Sequence, residues 1–424
     1  MWRFLTLDKI LIKGGNKLSG DIEIGCAKNA YLPILAGSIL CDGEVILHKC
    51  PSYADVINMI EILKHLGGKA SLSGSNLILD MKSLSGFDIP RELSSLTRSS
   101  IFSLGSILGR FKCAKVAYPG GCEIGSRPID LHIKGLEALG VKIVDRHGYL
   151  SCDGSSMHGG NVHLDFPSVG ATENIMMAAV LTKGRTKIFN PAKEPEIVDL
   201  QNFLNKAGAK IRGAGTTTII IDGVEKLGDV VYTPIPDRII AGTYMLATLM
   251  CGGDVRFSGV KSEHLQALIS KIDNNSCKIM VKGDKLRLSA NGRPKSIEKI
   301  ETLPYPGFPT DLQPQIMALE TISSGTSVIV ENLFETRFKH VGELNKMGAD
   351  ILVEGRSAVI KGVNKLYGAE VVATDLRGGA GLVLAGLVAD GYTKVSNIGQ
   401  ILRGYESIDE DLKNLGADIK RISE

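Results

Sequence analysis

The chain has 424 residues, 44% hydrophobic and 22% charged, which is apolar material enough for two or three domain-sized cores. Lys and Arg number 49 against 46 Asp and Glu, and a net charge of +3 gives no reason to expect a nucleic-acid or anionic-membrane partner. Residues 1–13 lack the basic start, apolar centre and small-residue cleavage site of a secretory signal, and no apolar run reaches the roughly 18 residues of a membrane span, so the expectation is a cytoplasmic protein.

From the N-terminus, the pattern predicts an apolar helix over Asn29–Leu40, a strand over Glu44–His48, an amphipathic helix over Ile60–Gly68 and a strand over Ser75–Asp80. The cycle recurs as Arg98–Leu108, Ala114–Ala117, Ile133–Gly140 and Lys142–Cys152, then as Ala171–Leu181, Thr186–Phe189, Leu200–Gly208 and Thr218–Asp222. The fourth cycle is Ile239–Met250, Asp254–Phe257, Leu265–Asn274 and Lys278–Leu288. The fifth is Gln313–Ile322, Ser327–Val330, Val341–Gly348 and Ile351–Ile360, and the sixth is Gly378–Ala389, Thr393–Val395, Ile408–Gly416 and Asp418–Ile422. The first helix of each cycle is apolar on most faces and is expected inside; the second is amphipathic and is expected outside it. A glycine closes the second helix, as a left-handed turn into a strand requires, except in the fourth cycle, where Asn274 and Asn275 stand in its place. The period of about 70 residues suits a small α/β subdomain repeated six times rather than a solenoid.

The starts of the apolar helices carry unusual charge: Lys28 and Asn29; Arg98; Thr172, Glu173 and Asn174; Asp237 and Arg238; Thr310 and Asp311; Asp375 and Arg377. Asp311 and Asp375 read naturally as helix caps. Cations at Lys28, Arg98, Arg238 and Arg377 are unfavourable at a helix start unless an anion answers them, which points to a phosphate-rich ligand. A second feature is Tyr118–Leu131, YPGGCEIGSRPIDL, whose Pro and Gly residues exclude helix or central strand. Cys122 lies in this loop, five residues before Arg127, and a nearby cation favours the thiolate needed for proton exchange or attack on carbon. The other cysteines, at irregular spacing, are expected to be free and mostly buried. The sequence carries no phosphate-binding G-x-x-x-x-G-K-[ST], no G-x-G-x-x-G after a strand, no H-E-x-x-H and no G-x-S-x-G, and His132 and His340 read as structural.

The segments GCAKNA (Gly25–Ala30), YPGGCEIGSRPIDLH (Tyr118–His132), SVGAT (Ser168–Thr172), EPEIVD (Glu194–Asp199), FPTDLQ (Phe308–Gln313), RFKHV (Arg337–Val341), ATDLR (Ala373–Arg377) and RGYE (Arg403–Glu406) resemble the UDP-N-acetylglucosamine 1-carboxyvinyltransferase family nearly end to end. The resemblance implies an inside-out α/β barrel fold of two domains, each with three βαβαββ-type units. Residues 28–235 would form one domain and 1–27 with 236–424 the other, with the active site in the cleft between them. It implies transfer of the enolpyruvyl group of phosphoenolpyruvate to the 3-hydroxyl of UDP-N-acetylglucosamine, with loss of phosphate. That reaction commits carbon to peptidoglycan, and so to cell-wall growth, cell shape and division.

By the same resemblance Cys122 protonates the donor, can carry a covalent donor adduct and is the target of fosfomycin, while Asp311 takes the proton of the sugar hydroxyl. Lys28, Arg127 and Arg403 hold the phosphate and Asn29 orients the donor. Arg98, Arg127, Pro128, Ile129, Asp130, Leu131, Phe166, Pro167, Ser168, Val169, Asp311 and Leu333 contact the UDP-sugar; Arg337, Asp375 and Arg377 support the site. No metal or organic cofactor, nucleic acid or membrane is implied. The chain departs from the family pattern at Leu402 and Ile240, where acidic residues are usual, and at Phe166 and Pro167, which replace Lys and Val of some members. The competing readings are a catalytically idle UDP-sugar-binding paralogue and the sister enzyme acting on shikimate 3-phosphate.

Overall fold

The computed structural model describes residues 8–120, 129–273 and 275–423. They fall into two compact units: 26–120 with 129–235, and 8–25 with 236–423. No helix among the described residues is long and apolar enough to cross a membrane.

Each repeat supplies an inner and an outer helix. In the first unit the inner helices are α1 (Lys28–Ser38), α3 (Phe102–Phe111) and α5 (Val169–Val180); the outer ones are α2 (Ala54–His65), α4 (Asp130–Glu137) and α6 (Pro195–Lys206). In the second unit α7 (Arg238–Cys251), α9 (Gln313–Ile322) and α11 (Leu376–Val388) are inner, and α8 (Gln266–Ile272), α10 (Val341–Lys346) and α12 (Ile408–Asn414) outer. The inner helices are buried on nearly every face, because Ala, Leu, Met and Gly leave no polar stripe to turn to water. In the second unit all three pack on one another; in the first, α3 packs on both α1 and α5. Small residues set that approach: a Cβ on Gly105 of α3 would lie 2.1 Å from the Asn174 carbonyl oxygen of α5.

Among the described residues six separate four-stranded sheets accompany these helices, three per unit, and none closes on itself. In every sheet one edge pair is parallel and the other two pairs are antiparallel. Val230–Tyr232 runs parallel to Glu44–Leu47, which pairs antiparallel with Asn76–Asp80, and that strand in turn with Lys69–Ser73. Two exchanges break the sequence order. Leu18–Glu23 precedes α1 but pairs with Gly253–Ser258 after α7, while Val230–Tyr232 precedes α7 but pairs with the strand after α1. The sixth sheet takes its third strand, Asp8–Lys13, from the other end of the chain.

Five of the outer helices end in glycines of positive φ, from 83° at Gly140 to 116° at Gly208. In the fourth repeat the left-handed residue is Ser276 (φ 57°) rather than the asparagines. Asn274 lies outside the described residues. Asn275 clasps the next segment, accepting from the Lys295 amide (2.7 Å) and donating to its carbonyl (2.8 Å).

Candidate active site

In the first unit Lys28 is the first residue of α1 rather than preceding it. Only 7% exposed, its ammonium lies 2.7 Å from Asp55 Oδ2 in the first turn of α2. A buried cation at a helix start is opposed both by desolvation and by the helix dipole, and the Asp55 carboxylate offsets both. Asn29, beside it, faces solvent.

Arg98 opens a 3-10 turn, Arg98–Ile101, that leads into α3 and is capped by the Thr97 hydroxyl, which accepts from the Ser99 amide at 3.3 Å. The turn is tied to two other helices by Asn174. Its amide nitrogen donates to the Ile101 carbonyl (2.8 Å) and lies 2.7 Å from His132 Nδ1, and its oxygen accepts from the Gly105 amide (2.6 Å). An amide NH2 can only donate, so Nδ1 of His132 accepts and the ring is neutral. Burial, with the charge of Arg98 adding and Asp130 opposing, pushes His132 down to about 4. Asp130 begins α4 and is exposed, Ile129 is buried and Leu131 half-buried. Ser168 caps α5, accepting from the Ala171 amide at 3.3 Å, so this helix starts at Val169 and Thr172, Glu173 and Asn174 lie beyond its first turn, fully buried. Phe166 just before it is 47% exposed, with Pro167 half-buried. Cys122, Arg127 and Pro128 lie outside the described residues.

In the second unit Asp311 is not a cap. It sits within a 3-10 turn, Thr310–Leu312, with its side chain 25% exposed and one guanidinium on each oxygen. Arg337 donates from Nη2 to Oδ1 at 3.1 Å, and Arg377 from Nη2 to Oδ2 at 3.2 Å. Both arginine side chains are nearly inaccessible, at 2% and 3%. Burial alone would push the Arg377 guanidinium down; the Asp311 carboxylate, then Tyr405 and Asp237, outweigh it and hold it above its usual value. Asp375 is a true cap of α11, accepting from the Arg377 (3.0 Å) and Gly378 (2.9 Å) amides. Arg377 therefore lies inside the helix rather than before it. Burial pushes nearby His340 down to about 4, with Asp375 opposing and Arg337 adding.

Glu331 fixes this corner, and the sequence reading missed it. Its carboxylate, 1% exposed, accepts from the hydroxyls of Thr302 (2.8 Å) and Thr310 (2.9 Å) and from the amide of Leu333 (2.9 Å). It thereby joins the turn bearing Asp311 to the segment bearing Leu333. Arg403 closes a 3-10 turn, Ile401–Arg403, with Nη1 3.5 Å from Gln400 Oε1, and Leu402 beside it is half-buried. Arg238 lies over the Tyr305 ring (5.7 Å to the centroid), and Ile240 is buried in α7. The Gln400 amide and the Tyr305 ring are thus among the neighbours of these two arginines.

Asp311, Arg337, Arg377 and Asp375 converge in one unit. Arg98, Asp130 and the Ser168 segment are linked through His132 and Asn174 in the other.

Residues 12–412 match the family model described as EPSP synthase (3-phosphoshikimate 1-carboxyvinyltransferase). UDP-N-acetylglucosamine 1-carboxyvinyltransferase 2 of Caldanaerobacter subterraneus subsp. tengcongensis is 53% identical over 98% of this chain and 100% of its own. The protein of the same name from Carboxydothermus hydrogenoformans is 50% identical over 99% of this chain and 100% of its own. UDP-N-acetylglucosamine 1-carboxyvinyltransferase of Geobacter metallireducens is 46% identical over the same shares. Among solved structures, the enolpyruvyl transferase NikO from Streptomyces tendae superposes with a TM-score of 0.88 at 24% identity, over 98% of this chain and 99% of that one, a likeness of fold. EPSP synthase from Acinetobacter baumannii gives 0.76 at 16% identity, over 98% of this chain and 100% of that one. With relatives this similar along their whole length and the enolpyruvyl transferase fold in both units, the chain belongs to the UDP-N-acetylglucosamine 1-carboxyvinyltransferase family.

Proposed function

We propose that this protein transfers the enolpyruvyl group of phosphoenolpyruvate to the 3-hydroxyl of UDP-N-acetylglucosamine, the first committed step of peptidoglycan synthesis, in the cytoplasm. The carrying observation is the 46–53% identity, over at least 98% of the chain, to relatives named for that activity.

In the addition step the sugar O3 bonds to C2 of the donor. Asp311 takes the hydroxyl proton and the Cys122 thiol gives a proton to C3, leaving a tetrahedral phosphorylated intermediate. In the elimination step the C2–O bond to phosphate breaks, C3 returns a proton to the Cys122 thiolate, and the enol ether remains. Lys28, Arg127 and Arg403 hold the phosphate and answer its growing charge. Asn29 orients the donor. The two guanidiniums on Asp311 favour its ionised form and fix its direction, which suits a base that acts only when the sugar hydroxyl is poised beside it. Phe166 to Val169, with Arg98 and Ile129 to Leu131, form the UDP-sugar surface together with Arg127, Pro128 and Leu333. The reaction itself is acid–base chemistry and calls on no cofactor.

The test is phosphate release from phosphoenolpyruvate, run in parallel with UDP-N-acetylglucosamine and with shikimate 3-phosphate. Release with the UDP-sugar alone is expected. Release with shikimate 3-phosphate instead would reassign the acceptor. Binding of the UDP-sugar without release would make the protein an idle binder.

A further inference from the structure

Tyr405, two residues after Arg403, is 1% exposed, and its surroundings are unusually polar for a buried aromatic. Its oxygen lies 2.8 Å from Thr243 Oγ1 on α7 and 3.1 Å from Gln315 Nε2 on α9. Thr243 spends its proton on the Ile239 carbonyl (2.8 Å), so its oxygen accepts, from the Tyr405 hydroxyl and from Gln315 Nε2 (3.1 Å). The proton directions are thereby fixed: the phenol donates to Thr243 and accepts from Gln315. The face of the ring meets the third inner helix, with the Arg377 Cζ of α11 5.4 Å from the ring centroid. One side chain thus touches α7, α9 and α11 at once.

Arg377 needs such a support. Its Nη2 holds Asp311 Oδ2, while its buried Nε and Nη1 meet no acceptor of good hydrogen-bond geometry among the described residues, the Tyr405 oxygen adding only a weaker polar attraction. With two of three nitrogens held this weakly, hydrogen bonds alone leave the guanidinium plane loosely determined. The desolvated Tyr405 side chain, mainly through its aromatic face, supplies the attraction that fixes it.

We infer that Tyr405 is a positioning residue for the reaction: braced on Thr243 and Gln315, its ring sets the Arg377 guanidinium, and through it the direction and charge of the Asp311 carboxylate. The inference rests on the reading of Asp311 as the base. Among the described residues, the charged and titratable groups around that carboxylate include Arg337, from the segment before α10, and Arg377 on α11, with Asp237 at the start of α7, Asp375, His340 and Tyr405 itself behind them.

The experiment compares phosphate release from phosphoenolpyruvate and UDP-N-acetylglucosamine, as kcat against pH, in the wild type, Tyr405→Leu, Tyr405→Phe and Asp311→Asn, with thermal melts alongside. Tyr405→Leu removes the face and frees Arg377. The expected loss in kcat is about tenfold to a hundredfold. A carboxylate that loses an adjacent cation binds its proton more tightly, so the acid limb should also move to higher pH. Tyr405→Phe keeps the face and loses the brace. A loss of about threefold to tenfold is expected, with the acid limb in place.

A folded Tyr405→Leu with wild-type kcat and an unmoved acid limb overturns the inference, as does an equal loss in both variants with neither limb displaced, the mark of a merely structural tyrosine. Should the Leu variant not fold, Tyr405→Met takes its place and is read by the same loss in kcat and shift of the acid limb, while wild-type kcat at every pH in Tyr405→Phe counts against the inference. Wild-type turnover in Asp311→Asn has a different meaning, since it removes the assignment of the base itself.

Discussion

Lys28 and Asp55 form an ion pair 2.7 Å apart in the first unit with both partners nearly buried. Breaking such a pair from one side costs about 3–5 kcal/mol, because the remaining charge stays in the protein. Asp55→Asn is therefore expected to lower unfolding free energy by about that amount and to raise the KM for phosphoenolpyruvate, since Lys28 loses its direction. The double variant Lys28→Met with Asp55→Leu should regain much of the stability and none of the turnover; denaturant melts and initial rates read both. If Asp55→Asn left stability and KM unchanged, the pair would be incidental. At Cys122 the chemistry makes its own forecast. Cys122→Ser should lose covalent labelling by an epoxide analogue of phosphoenolpyruvate, measured by intact mass. Cys122→Asp should keep some turnover, because a carboxylic acid still donates a proton, while resisting the epoxide. Full activity in Cys122→Ala would remove the thiol from the mechanism. Lys28 stood out in the sequence because a cation at a helix start is costly, and Cys122 because its segment is rich in glycine and close to a cation, whereas Asp311 read as a cap and entered only through the family resemblance. Asp55, Glu331 and Asn174 did not stand out, because an acid near a helix start, an acid after a strand and an amide in an apolar helix are individually ordinary. Their meaning comes from partners 27, 29 and 73 residues away.

At the scale of the element, four of the six inner helices start one or two residues before their predicted positions. The polar residues at their starts read as loop, yet Ser168, Asp237 and Asp375 cap from outside and draw the following residues into the helix. Further along, α9 carries a buried acid, Glu320, whose carboxylate accepts from the Ile297 amide (3.1 Å) and from the Ser327 hydroxyl. Burial pushes it up to about 7, against those two hydrogen bonds. Between about pH 4.5 and that value the folded protein keeps the proton that the unfolded chain releases. The folded state then binds more protons than the unfolded one, so this group's contribution falls as pH rises through the window, by about 3 kcal/mol in all. Glu320→Gln cannot ionise. Relative to the wild type it should become progressively more stable from pH 4.5 to 7, with no further change above. Chemical denaturation of both proteins at pH 5 and pH 8 measures the difference, and a difference independent of pH would show that Glu320 does not titrate there.

For the whole molecule, the exchanged strands predict an asymmetry between the units. Residues 26–235 contain every strand of their three sheets. Residues 236–424 do not: two of their sheets depend on Asp8–Lys13, paired on both sides, and on Leu18–Glu23. Expressed alone, 26–235 should give a cooperative thermal transition, whereas 236–424 should not unless 8–25 is supplied in cis or as a peptide. Cooperative melting of 236–424 by itself would show that those strands are dispensable.

The sequence by itself determined the sixfold cycle of buried and amphipathic helices, because burial is written in the periodicity of apolar residues and the turns in glycine. It also marked the charged helix starts, because a cation beside unpaired amides is costly without an anion to answer it. Only the tertiary structure decided which strand completes which sheet and which guanidinium holds Asp311. Parallel pairing is set by where a crossover returns rather than by local pattern, and a charge pair by which helix ends the packed core brings together.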